Sequence, residues 1–192
     1  MSQVNVQQQP RFVIKQKITP MANRYVVSVP LPDGKPGPTV AYVEQARFKF
    51  KEEVTFYTDE SKRYEVFRFK ARSVIDFGAT YDVFTPQNEA LGLFRKDAKA
   101  SLFRSTWHLE PAGQPPAKGQ ERSGVLAVLR RFSDFAAMFP FHFDFERQGQ
   151  PLMRIDRKVA LRDTYLLEIA DPYLDRRLAI AMAVALDALQ AR

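Results

Sequence analysis

The sequence predicts a mainly β protein, a closed barrel of about twelve antiparallel strands around a hydrophobic C-terminal helix. Two observations lead there. The first is Leu178–Leu186, nine consecutive apolar residues within a stretch rich in alanine. As a helix this run has no polar face, so it must be enclosed on every side by protein or by lipid. The second is a recurrence of short alternating segments that open on Thr-aromatic pairs. Thr55-Phe56, Thr80-Tyr81 and Thr106-Trp107 are spaced by 25 and 26 residues, and Thr164-Tyr165, Arg24-Tyr25 and Phe141-His142-Phe143 extend the series to six units. A repeat of that length is one supersecondary element, too short for a helical solenoid.

Each unit reads as two strands of period-two alternation. The pairs are Phe12 to Ile18 with Tyr25 to Val29, Ala41 to Lys51 with Val54 to Thr58, and Tyr64 to Lys70 with Thr80 to Phe84. Leu91 to Lys96 pairs with Ser101 to Leu109, Gly124 to Phe132 with Phe141 to Glu146, and Leu152 to Ile155 with Thr164 to Ile169. Pro30 to Pro38 and Pro111 to Ser123, rich in proline and glycine, are expected as exposed loops. Ser133 to Phe139 is expected to form one helical turn, stopped by Pro140. Twelve antiparallel strands are too many for an open flat sheet, and closure removes the edges that would aggregate. A barrel that wide needs a filling, which the terminal helix supplies.

The helix is predicted over 174–190. Leu174 to Leu189 spans roughly 24 Å at about 1.5 Å per residue and carries Arg176, Arg177 and Asp187, whereas a membrane span needs about 20 mostly apolar residues. It therefore reads as a core helix. Residues 1–10 lack the basic and apolar regions of a signal peptide and are expected to be a flexible tail, leaving 11–192 as a single domain. With no cysteine among 192 residues, disulfides, thiolate nucleophiles and thiolate metal sites are excluded, and the cytoplasm is the default location.

In this setting Lys15-Gln16-Lys17-Ile18, Gly78-Ala79-Thr80-Tyr81-Asp82-Val83-Phe84 with Leu91-Gly92-Leu93-Phe94-Arg95-Lys96, and Asp175-Arg176-Arg177-Leu178-Ala179-Ile180-Ala181 carry a resemblance. Over about residues 11–190 the chain resembles the tubby C-terminal-like superfamily, and within it the LURP-one-related proteins, with phospholipid scramblases more distant. The resemblance implies a twelve-stranded barrel around a C-terminal helix. It also implies, by analogy with tubby-like domains, recognition of phosphoinositide headgroups through basic residues, although no position-by-position match exists here.

The residues themselves offer little chemistry. His108 and His142 lie in alternating strands outside any metal-ligand spacing, and no nucleophile elbow precedes Ser133. Gly34-Lys35-Pro36-Gly37 is not a phosphate-binding loop, and no cofactor motif is present. The expected function is a non-catalytic binding or scaffold module. The alternatives are an enzyme with a rim pocket using either histidine and nearby carboxylates, or a protein-binding module using loops 30–38 and 111–123.

The net charge of +7 gains meaning from its placement. In a meander, every connector within a unit falls at one rim. That zone holds Lys15, Lys17, Arg24, Lys49, Lys51, Lys70, Arg72, Arg95, Lys96, Lys99, Arg104, Arg130, Arg131, Arg157, Lys158 and Arg162, against seven carboxylates. Lys70, Arg72, Arg95, Lys96, Lys99, Arg104, Arg130, Arg131, Arg157 and Lys158 are the candidate ligand-binding residues. The expected partner is an anionic lipid headgroup or membrane surface, met peripherally at its inner face; nucleic acid ranks lower because no aromatic-interleaved basic motif occurs. A solvated positive end is the plainest alternative.

Overall fold

One α-helix, α1 (Arg176–Gln190), is enclosed by twelve strands in a computed structural model that describes residues 5–18, 22–46, 53–72, 80–97, 105–122, 142–158 and 164–190. The strands are β1 (Arg11–Ile18), β2 (Ala22–Pro30), β3 (Pro36–Ala46), β4 (Glu53–Tyr57), β5 (Glu65–Ala71) and β6 (Thr80–Phe84). They continue as β7 (Ala90–Lys96), β8 (Thr106–Pro111), β9 (Ala117–Glu121), β10 (His142–Arg147), β11 (Gln150–Lys158) and β12 (Thr164–Ile169). Each strand pairs antiparallel with its sequence neighbours, and β1 closes on β12. The result is the predicted barrel around the predicted helix.

Leu178 to Leu186 are all at most 1% exposed, as a helix without a polar face requires. The repeated aromatics explain how the barrel accommodates it. Tyr25, Phe56, Tyr81, Trp107, Phe143 and Tyr165, one on each even-numbered strand, are buried within a single core cluster with the helix. Their rings meet those of the odd-numbered strands: Phe56 stacks on Phe67 at 4.0 Å between centroids, and Tyr81 stacks on Phe94 at 5.2 Å. Large residues on the wall therefore face the alternating alanines of α1, which lets side chains interdigitate at crystal-like density. Where β7 passes the first turn of α1, Gly92 takes a φ of +140°, and a Cβ there would lie 2.9 Å from Leu178 and 2.5 Å from the Glu110 carbonyl. Only glycine suits that position.

Two expected loops are largely strand. Only 31–35 separates β2 from β3, and the segment expected as loop 111–123 contains the end of β8 and all of β9. β9 lacks a hydrophobic signature because its buried positions are Ala117, Gly119 and Glu121. The Phe145 ring of β10 occupies the space above Gly119, where a Cβ would approach it to 2.3 Å. The strand expected at 124–132 and the turn at 133–139 lie outside the described residues; the place between β8 and β10 belongs to β9. The strand residues predicted at 47–51 and 101–104 also lie outside them.

Part of the segment expected as a tail is held. Val6–Gln8 forms a 3-10 turn, and Gln7 reaches the N-terminus of α1, accepting from the Arg176 backbone N–H at 3.1 Å and donating to Asp175 at 3.0 Å. Asp175 caps the helix, accepting from the Arg177 backbone N–H at 2.8 Å. The buried Arg176 guanidinium donates to the carbonyls of Gln9, Asp171, Pro172 and Leu174. Burial pushes it below the usual arginine range.

Among the described residues, the lateral join between β3 and β4 is the thinnest, with one register pair, Tyr42 opposite Tyr57. Beside it, Glu44 of β3 accepts from Lys62 of the β4–β5 loop at 2.5 Å and from Arg24 of β2 at 2.7 Å. The Lys62 ammonium, opposed by burial and aided by Arg24, brings the Glu44 carboxyl down to about 2. A depressed folded-state pKa means stability that is present above about pH 4.5 and lost as pH falls toward 2. Glu44→Gln should lower the melting temperature at pH 7 and flatten the acid limb over that window, read by circular dichroism against pH.

A second expected outcome concerns the core. Ala181→Asp or Ala183→Asp would bury a carboxylate at a site no more than 1% exposed, at a cost of several kcal/mol against a total stability of about 5–15 kcal/mol. Both variants should fail to fold without any membrane present. Cooperative unfolding of either one would refute the enclosed-helix packing.

Candidate functional site: the connector rim and the outer face

The meander places the C-terminal ends of β1, β5, β7 and β11 at one end of the barrel, and with them Lys15, Lys17, Lys70, Arg72, Arg95, Lys96, Arg157 and Lys158. Among the ten candidate residues, Lys99, Arg104, Arg130 and Arg131 lie outside the described residues. Of the others, Lys96 has a partner and three arginines are engaged. Arg72 forms a two-point ion pair with Asp82 at 2.6 and 2.7 Å, and Arg95 donates to Glu110 at 3.1 Å. Arg157 packs its guanidinium over the Tyr165 ring at 5.8 Å. Lys70 is exposed, and so are Lys15 and Lys17, with no ion pair to another described residue. The available charge at this rim therefore rests on lysines of β1 and β5 more than on the arginines.

Just inside the same end lies a polar cluster. Asp187, in the last turn of α1, accepts hydrogen bonds from the hydroxyls of Tyr25 at 2.8 Å and of Tyr165. Gln16 of β1 donates to the Tyr25 hydroxyl at 3.2 Å and accepts from that of Tyr165 at 3.4 Å. Burial, with the Asp187 charge beside it, pushes the Tyr25 phenol well above its ordinary range. Four residues from β1, β2, β12 and α1 are thus joined in one hydrogen-bonded cluster. Sequence reasoning missed this cluster because its members are up to 171 positions apart.

Both histidines pair with a carboxylate on the neighbouring strand or strand end. His142 Nδ1 lies 2.7 Å from Asp156, and His108 Nε2 lies 3.1 Å from Asp97. No hydroxyl of a described residue completes either pair into a nucleophile relay. Beside His142, Arg122 forms a two-point pair with Asp144 at 2.8 Å, and Arg154 donates to the same carboxylate at 3.0 Å. These two arginines hold the Asp144 carboxyl below its usual range. Such pairs are cross-strand structure first, each contributing about 0.2–1 kcal/mol.

A further surface depression lies away from the rim. A groove of about 920 Å³ runs along the outer face of β1 and β12, walled by the β2–β3 loop, with Val13, Leu166, Val29 and Leu31 as its apolar lining.

Residues 39–187, from within β3 to the last turn of α1, match the family described as LURP-one-related. The chain belongs to the LURP-one-related family. No curated protein and no solved structure gives a significant match. Membership suggests a non-enzymatic binding module and agrees with the barrel. No helix among the described residues is long and apolar enough to cross a membrane.

Proposed function

We propose that this LURP-one-related protein is a non-catalytic binding or scaffold module whose connector rim recognises anionic phospholipid headgroups at a membrane's inner surface. The observation that carries the reading is the exposure of Lys15, Lys17 and Lys70 at one barrel end with no ion pair to another described residue. Each basic residue near an anionic surface contributes on the order of 1 kcal/mol, and the attraction decays within a Debye length of about 8 Å at physiological salt. Several exposed lysines at one barrel end suit that geometry. The resemblance to tubby-like domains supports the same partner class. Arg72 and Arg95 contribute less, since their carboxylate partners travel with them.

Sedimentation with vesicles tests it. The protein should pellet with phosphatidylserine or phosphoinositide vesicles at low salt, be released by high salt, and stay in solution with neutral vesicles. Changing Lys15, Lys17 and Lys70 together to Glu should lower binding by about a hundredfold or more. Reversing Lys96, Lys99, Arg130 and Arg131 should also weaken it. Equal recovery with neutral vesicles, or full binding by the reversed proteins, would sink the reading.

A further inference from the structure

The groove on the outer face of β1 and β12 has its own logic and shares only Lys15 with the rim. Along its floor the chain runs from Pro10 through β1 to Lys15, about 17 Å at roughly 3.4 Å per residue. Val13 and Leu166 stand side by side in register on this floor. The wall is the segment 30–36, stiffened by Pro30, Pro32 and Pro36 and tied by backbone hydrogen bonds from Leu31 to Lys35 at 2.8 Å and from Gly34 to Leu31 at 2.8 Å. Gly37 lets Leu31 lie against the backbone of β3, since a Cβ at that glycine would come within 3.0 Å of the Leu31 side chain. Leu31 nonetheless remains 45% exposed, facing a space that no described residue covers. The trough is thus preformed, which spares a ligand the cost of ordering it.

Its charges are distributed unequally. Arg11, at one end, is held by Glu168 at 3.0 Å, and Lys35 on the wall by Asp33 at 2.9 Å. The Lys35 ammonium in turn keeps the Asp33 carboxyl below its usual range. Lys15, at the other end, is exposed and has no ion pair to another described residue. An apolar trough with one uncompensated cation at a single end complements a linear apolar chain with one terminal anion. We infer that this groove binds a free straight-chain carboxylate of medium length, its tail along Val13, Leu166 and Leu31 and its carboxylate at Lys15. With C–C bonds of about 1.5 Å in a zigzag, a chain of about ten carbons fits the length. The volume lies within the range of small-molecule sites, about 300–1,000 Å³.

Isothermal titration of the full chain with decanoate below its micelle concentration tests this, with decanol and acetate as comparators. Decanoate should bind saturably at one site and about fivefold more tightly than decanol, and acetate should give no heat. Lys15→Gln should abolish the preference for decanoate and leave decanol binding unchanged. Leu31→Asp, at an exposed position, should weaken both ligands about tenfold with unaltered thermal melting. Leu31→Asp should leave vesicle binding intact, so the two readings fail separately. Absence of saturable decanoate binding, a preference that survives Lys15→Gln, or full affinity in Leu31→Asp would each overturn the assignment.

Discussion

Everything in this molecule follows from a helix that cannot be left partly wet. An amphipathic helix can lie on a sheet with its polar face to solvent; α1 has no such face from Leu178 to Leu186, so a single sheet or a pair of layers would leave about half of it exposed. Closure of the sheet around it solves that problem and the edge problem together, because every strand then has two neighbours. The size match is local. Tyr25, Phe56, Tyr81, Trp107, Phe143 and Tyr165 project from alternate strands toward a helix built largely of alanine, so bulk missing from the filling is supplied by the wall.

A smooth apolar rod in an apolar tube has little to fix its height, and two polar contacts supply that information. Arg176 at one end gathers four carbonyls from the N-terminal segment and the β12–α1 turn, and Asp187 at the other receives the hydroxyls of Tyr25 and Tyr165. Sliding the helix by one residue would leave a buried guanidinium and a buried carboxylate unsatisfied, each at a cost of several kcal/mol. The polar groups therefore specify register in a core whose packing alone would tolerate several. That role also explains why charge appears in the helix only where the apolar run ends.

The sequence discloses the parts whose signal is local. Nine apolar residues in a row mark the helix, and the buried aromatic on each even strand marks the repeat, since both are set by what a short segment must bury. β9 escapes the same reasoning, because its inward residues are small or polar to make room for Phe145. The candidate rim is legible in its location and not in its chemistry. That Arg72 would be neutralised by Asp82, ten positions away, depends on the β5–β6 register, which no local pattern encodes. The outer groove is equally hidden, since Val13 and Leu166 meet only when the first and last strands close the barrel.

Closure also restricts where such a protein can act. Among the described residues the closed barrel leaves no free edge for a partner's strand, and α1 occupies its bore. On the outer face, alternating charges run across five neighbouring strands: Arg122 beside Asp144, Asp144 beside Arg154, Arg154 opposite Glu168 in register, and Glu168 beside Arg11. A belt whose signs alternate at the spacing of one strand cancels its own field within a few ångströms and attracts neither polyanion nor polycation. Among the described residues, cancellation fails at the strand ends carrying Lys15, Lys17 and Lys70 and at the trough where the β2–β3 loop leans over β1. Lys15 belongs to both. A ligand seated in the trough would neutralise one of the rim's exposed cations, so occupancy of the groove and attraction of the rim to an anionic surface are opposed by electrostatics, by about the contribution of a single lysine.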